Sequence, residues 1–261
     1  MTSHIKVTRE RTDRALFDRI ASRYARKDSI ASSSLARKSQ LLSAVKPVLA
    51  EWPNLGTVVD IGCGVGASAK YLAGHYERYI GIDQSEEMIQ AAVIFNRGNP
   101  RAELIAENVK SEDLPQNVAD VILSVGALHH MTELEDVMDS LVRIAKPRAF
   151  LVAIEPQNSN PLLQVMCWIR GIVDSSYSRE QIFFSEEHLR DLFVNHGITD
   201  LSVEFQGFLT PPFAQLVLHP QVLIAPLSRV AIQVDSWLNT HLPRWLRKLS
   251  FNIVVVGRFT K

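Results

Sequence analysis

The residues best suited to chemistry lie in Val58–Ser68, which reads VVDIGCGVGAS. An apolar run ends there in Gly62, Gly64 and Gly66, and a helix should open near Ala67. Glycines let the backbone turn tightly and approach a ligand with no Cβ in the way. A helix N-terminus adds unpaired N–H groups and a partial positive charge. Asp83 follows the next apolar run, where a carboxylate can accept two hydrogen bonds from a ribose diol. Two cofactors fit these residues. Gly62, Gly64 and Ala67 satisfy the dinucleotide fingerprint, which keeps an NAD(P)-dependent oxidoreductase as an alternative. Asp60 points the other way: its carboxylate would meet a pyrophosphate unfavourably, but it suits S-adenosylmethionine, which carries a sulfonium and an amino group.

Four ordered segments give the chain a resemblance to the class I S-adenosylmethionine-dependent methyltransferases, in particular the small-molecule group called type 11. VVDIGCGVGAS is similar to that family's first motif and GIDQSEEMI (Gly81–Ile89) to its second. SVGALHHM (Ser124–Met131) is similar to the stretch after the fourth strand, and RIAKPRAFLVAIEP (Arg143–Pro156) to a helix-loop-strand. The likeness covers Phe17 to Phe205. It departs at Arg148 and Ala149, where the family usually has two glycines, and at Asn108–Pro115, where it often has an acid and alanine before Leu-Pro. The resemblance implies that Asp60, Gly62, Cys63, Gly64 and Gly66 line the methionine end of S-adenosyl-L-methionine. It also implies that Asp83 takes the ribose hydroxyls, that Gln84 flanks the adenine, and that Asn108, Val109 and Ser124 complete the cofactor contacts. Cys63 matches a common family residue and reads as a small space-filler.

Methyl transfer from a sulfonium is an in-line displacement, so the protein must align a nucleophile and exclude water. A base is needed only where the acceptor loses a proton. His129 and His130 sit at the carboxyl end of an expected strand, where ligands of open α/β sheets bind. Neighbours there point opposite ways, so at most one of the two faces the site; His129 is the candidate base or acceptor contact, against the reading of a structural histidine hydrogen-bonded beneath the loop. Glu155, ending the fifth strand, is the expected acceptor-orienting group. The other histidines show no metal-ligand spacing, and no metal is expected. Trp168, Tyr177, Phe183, Phe184, Phe208, Phe213 and Trp237 suit a pocket for a small apolar or amphiphilic acceptor, aromatic, isoprenoid or lipid-like, methylated on oxygen. Core packing explains them equally well. The rival from another class is a noncatalytic member that binds cofactor or a membrane surface.

The elements that must position these groups alternate in type. Thr57–Asp60, Tyr79–Ile82, Ala102–Ile105, Asp120–Leu123 and Ala149–Ile154 are short apolar runs separated by helix-length segments. That is the signature of a doubly wound, mostly parallel α/β sheet, the Rossmann-like methyltransferase fold. Leu201–Phe205 and Phe251–Val256 should add an antiparallel terminal pair. Phe17, Ile20, Ala21 and Tyr24 predict an amphipathic helix over residues 12–28, and a second is expected after Ala31–Ser34. Ser85, Thr132 and Ser185 are expected N-caps, Thr132 through a capping box with Glu135. Leu227, Val230, Ala231, Val234, Leu238 and Leu242 form the expected buried stripe of a helix from Leu227. The expected organisation is an N-terminal helical cover (1–50), a cofactor-binding core (51–207), an inserted helical lid (208–250) and a last core strand (251–261).

The chain has 261 residues, 46% hydrophobic, with two cysteines, which excludes a disordered or disulfide-stapled protein. Twenty-eight basic side chains balance 28 acidic ones, which argues against nucleic acid as a partner. The balance hides blocks: residues 1–48 carry net +7, residues 49–207 carry −12 and residues 208–261 carry +5. The longest apolar run is too short to span a bilayer, and Met1–Glu10 has no signal-peptide core. A soluble, cytoplasmic protein is expected, with peripheral membrane contact near Arg229, Arg244, Arg247 and Lys248 as a further expectation. The sequence leaves the oligomeric state open.

Overall fold

The computed structural model describes residues 2–158, 160 and 183–261. Seven apolar runs become seven strands: β1 (Thr57–Ile61), β2 (Arg78–Asp83), β3 (Ala102–Ala106), β4 (Ala119–Val125), β5 (Ala145–Pro156), β6 (Ile198–Gln206) and β7 (Asn252–Phe259). They form one sheet in the order β3-β2-β1-β4-β5-β7-β6. The first five strands are mutually parallel, and β7 runs antiparallel between β5 and β6. The chain reverses its direction of travel across the sheet at β1 and β4. That is the point at which an open α/β sheet opens a crevice beyond its strand ends.

Alternate residues feed two cores. Val59, Ile80, Ile82 and Ile122 pack with α5 (Leu134–Ile144) and α6 (Glu186–Asn195) on one face. Val58, Tyr79, Val121 and Val152 pack on the other face beside α2 (Ala31–Glu51), α3 (Ala67–Tyr71) and α4 (Glu86–Phe95). Burial on both faces is why these strands read as unbroken apolar runs. The N-terminal helix α1 (Thr2–Ser29) lies against α4 and α2. The insert supplies α7 (Pro211–Gln215), α8 (Gln221–His241) and α9 (Arg244–Arg247).

Ser85 and Ser185 cap α4 and α6, accepting from the Met88 and His188 N–H groups at 3.1 Å. The N-cap of α5 is not the expected Thr132 but its neighbour. Glu133 stands at the N-cap of α5 with φ +54°, a conformation in which the cap side chain makes no bond to the first turn. Arg148, in a glycine's place, takes φ +62°, and its N–H donates to the Lys261 carbonyl at 3.2 Å. The family turn is therefore kept, at a backbone cost of about 1 kcal/mol for a residue with a Cβ.

Helix α8 starts six residues before the expected Leu227 and turns a different face inward. Its buried residues are Ser228, Ala231 and Asp235, whereas Leu227 and Val230 are exposed. The reason is the surface it meets. Along α2 the buried residues include Ser32, Ser33 and Ala36, and the Ser228 hydroxyl donates to the Ser32 carbonyl at 2.8 Å. A seam of small side chains brings two helices close and leaves no room for leucines.

Candidate active site

The carboxyl ends of β1, β2, β3 and β4 surround a cleft of about 1100 Å³, counted to its open mouth, at the upper end of the range for ligand clefts. Asp60, Gly62, Cys63, Gly64, Asp83, Gln84, Asn108, Val109 and His130 line it together. Gly66, Ser124 and His129 do not. Gly66 takes φ +66° to turn the chain into α3, and a Cβ there would lie 2.7 Å from Asn96 Nδ2. Gly62 has φ +62°, and its Cβ would strike Ala127 at 2.6 Å, so only glycine lets these loops meet at the cleft floor.

The floor is acidic. Asp60 is buried; its Oδ2 accepts from the Tyr79 hydroxyl at 2.6 Å, and its Oδ1 has no hydrogen-bond partner among the described residues. Burial pushes its pKa up to about 6, against the lowering effect of the Tyr79 and Ser68 hydroxyls. Asp83 accepts from the Gly64 N–H at 2.8 Å and the Ser85 N–H at 2.9 Å. Burial raises its pKa too, and those two N–H groups oppose the rise. Glu107 makes a third carboxylate in the lining. An unmatched buried carboxylate oxygen and two further acids fit a sulfonium, an ammonium and a ribose diol. They do not fit a pyrophosphate, which removes the nicotinamide alternative. The Cys63 thiol is held well above its usual pKa by burial and by the Asp83 and Asp60 charges, so it is the inert filler expected.

Sequence reasoning missed Arg37, which reaches the cleft from α2. Its Nε lies 2.8 Å from Asp28 Oδ1, and Asp28 also accepts from the Tyr71 hydroxyl at 2.7 Å. Burial, the largest single influence, works against the guanidinium's charge, but Asp28, Tyr71 and Tyr24 together outweigh it and raise its pKa. Nothing local marks Arg37 among the basic residues of the first 48; only their excess hinted at one turned inward. Phe17 and Tyr24 line the cleft from α1, which makes that helix part of its wall.

Of the two histidines, His129 takes the structural place and His130 the place at the cleft. His130 lines the cleft, its ring 4.9 Å from Phe17 edge-on and 4.1 Å from the His129 ring. His129 is buried behind it, Nδ1 2.7 Å from Glu155 Oε2. Glu155 does not face an acceptor either. It is fully buried and accepts from the Ser124 hydroxyl (3.0 Å) and from the N–H groups of Ala127 (3.1 Å) and Leu128 (2.9 Å). Its carboxylate ties down the short 3-10 turn Leu128–His130, where three closely spaced N–H groups attract a buried charge.

None of Phe183, Phe184, Phe208, Phe213 or Trp237 lines the cleft, and Trp168 and Tyr177 lie outside the described residues. Nor does any residue of 208–250: the insert reaches the cleft only by way of α2. Among the described residues no group of three or more metal-ligating side chains comes together.

Residues 59–153 match the family model of a methyltransferase domain. The chain is 28% identical over 166 residues to a ubiquinone/menaquinone biosynthesis C-methyltransferase of Syntrophotalea carbinolica, which covers 61% of this chain and 69% of that protein. It is 29% identical over 114 residues to the 2-methyl-6-phytyl-1,4-hydroquinone methyltransferase of a Synechocystis species, covering 41% of this chain and 36% of the relative. A solved S-adenosylmethionine-dependent methyltransferase of Thermotoga maritima, described as a possible histamine N-methyltransferase, has a similar fold. It superposes with a TM-score of 0.64 at 19% identity, over 95% of this chain and 99% of that one. The motifs at β1, β2, β4 and β5, the acidic cleft and the matched domain agree: this chain carries an S-adenosylmethionine-dependent methyltransferase domain over residues 59–153, similar to the class I, type 11 group.

Proposed function

We propose that the protein methylates a lipophilic acceptor bearing a ring hydroxyl, at a ring carbon. The observation that carries this reading is the contrast within the cleft. Opposite the carboxylate floor stands an apolar, aromatic edge formed by Phe17, Tyr24, Met131 and the His130 ring. The relatives named for quinone and hydroquinone methylation support a ring acceptor and transfer to carbon. Transfer to oxygen is the second reading, favoured by the same placement of His130, since removing a phenolic proton activates both atoms.

S-adenosylmethionine supplies a methyl group already bonded to a sulfonium, so the chain's residues bind, orient and manage a proton. Asp60 would hold the ammonium, Arg37 would pair with the carboxylate of the methionine end, and Asp83 would accept from the ribose hydroxyls. Phe17 and Tyr24 cover the cleft and exclude water. His130 takes the acceptor's hydroxyl proton, and His129 backs its ring.

The test is a transfer assay with methyl-labelled cofactor and a panel of alkyl- and prenyl-substituted hydroquinones, beside polar amines as controls. Label extracted with the hydroquinone, with a new ring methyl in its spectrum, is the expected result. A new methoxy signal selects the second reading. Transfer only to the polar amines refutes a lipophilic acceptor.

A further inference from the structure

Helix α8 is inside out. Against α2 it buries Ser228, Ala231 and Asp235, and toward solvent it presents large apolar side chains. Val222, Leu223, Leu227, Val230 and Trp237 of α8, with Trp245 of α9, are each more than half exposed. Leu223, Leu227, Val230 and Trp237 are spaced by four, three and seven residues, so they share one face of the helix. A contiguous apolar patch of this kind on a water-facing helix marks an interaction surface.

Charge identifies the partner. Residues 208–261 hold six basic side chains and a single acid, Asp235. That acid is buried, where it accepts from the N–H groups of Phe208 (3.1 Å), Leu209 (2.8 Å) and Thr210 (3.0 Å). The insert itself therefore puts no carboxylate on its outer surface: Arg229 stands exposed on α8, while Arg244 and Lys248 share Glu186 of α6 and Arg247 pairs with Glu204 of β6, three cations on two acids. Two tryptophans and aliphatic side chains beside this net positive charge match the interface of an anionic bilayer, in which the rings sit at headgroup depth and the cations meet lipid phosphates. A symmetric pairing of two copies through the α8 face would instead bring Arg229 toward its own copy. Among the described residues no helix is long and apolar enough to cross a membrane.

We propose that the outer face of α8 and α9 docks this protein on an anionic lipid surface, with α8 lying in the plane of the headgroups. The inference does not use the acceptor's identity. Vesicle binding needs no acceptor, so its failure and that of the proposed reaction are read separately.

The full chain is mixed with phosphatidylcholine vesicles or with mixed phosphatidylcholine–phosphatidylglycerol vesicles and floated on a density gradient. The expected result is at least tenfold greater flotation with the mixed vesicles, reversed by salt, with a blue shift of tryptophan emission. The double variant L223E/L227E should lose at least tenfold in partitioning (about 1.4 kcal/mol for each factor of ten) while keeping its melting temperature and cofactor affinity. Arg229→Glu, one exposed side chain, should weaken binding in the same direction and guards against a double variant that misfolds. Three results would overturn the proposal: equal flotation with both vesicles or with neither, unchanged flotation of the double variant, or a dimer in solution that L223E/L227E dissociates.

Discussion

Replacing Glu155 by alanine separates the structural role of this carboxylate from the acceptor-orienting role that its position in the sequence suggested. In the fold it takes a hydroxyl, two strong backbone N–H bonds and the His129 imidazole at 2.7 Å, in a site with no exposure to water. Removing one partner of such a buried, charge-assisted network costs about 3–5 kcal/mol, because the remaining donors stay desolvated. For a chain of this size that corresponds to a fall in melting temperature of about 6–20 °C. The Ala127–His130 turn should loosen with it, and since Ala127 and His130 both line the cleft, affinity for S-adenosylhomocysteine should fall as well. Glu155→Gln keeps the shape and one acceptor oxygen, so it should lose about half as much stability. Its amide nitrogen faces His129 Nδ1, which must then accept instead of donate. Differential scanning fluorimetry and calorimetric titration read both quantities. If Glu155→Ala melts with the parent and binds cofactor normally while turnover disappears, the anchoring argument is wrong and the acceptor-orienting reading returns.

Cofactor affinity should weaken as the pH falls through about 6, because Asp60 then takes up a proton and no longer faces the ammonium as a carboxylate. The sign for stability is opposite: the raised pKa favours the fold below the unfolded value and that contribution is lost as pH rises through 6. Titration of Asp60→Asn should give a flat affinity profile across the same range, and a parallel slope would refute the assignment. Arg148→Gly should raise the melting temperature slightly, since relief of the φ +62° backbone is worth about 1–2 kcal/mol against about 0.5–1 kcal/mol of added chain entropy; a lower melting temperature would contradict it. Phe17→Ala should raise KM for the acceptor, visible in steady-state kinetics as a change larger for acceptor than for cofactor. Equal changes in both would place Phe17 over the cofactor alone.

Much of this architecture was legible because parallel strands buried on both faces leave a plain trace. Val58–Val59, Ile80–Ile82 and Ile122–Leu123 are all inside, so each run is apolar throughout. Ser85 and Ser185 were legible because a cap is decided by the residue and its next turn. The misreadings share the opposite property, since each was settled by a distant part of the chain. The apolar stripe of α8 was drawn correctly on the helix, yet it faces outward because Ser32 and Ser33 of α2 accept only small partners. His129 was preferred to His130, but Glu155, 26 residues on, claims it. Arg37 belongs to the cleft because Asp28 and Tyr71 hold it there, a relation among the three helices α1, α2 and α3.

The position of β7 has a consequence for how the chain is made. β6 touches the sheet only through β7, which pairs with it from Ile198↔Phe259 to Gln206↔Asn252. During synthesis β6 is made before the strand it pairs with, and the edge of β5 from Phe150 to Pro156 stays open until β7 follows. An unpaired, apolar strand edge is the feature most prone to join a neighbouring chain. Completion of the sheet thus waits for β7, which acts as a bolt drawn between two parts already made. A ribosome stalled before β7 would hold a chain whose cleft-lining residues are all made and whose β5 edge is open.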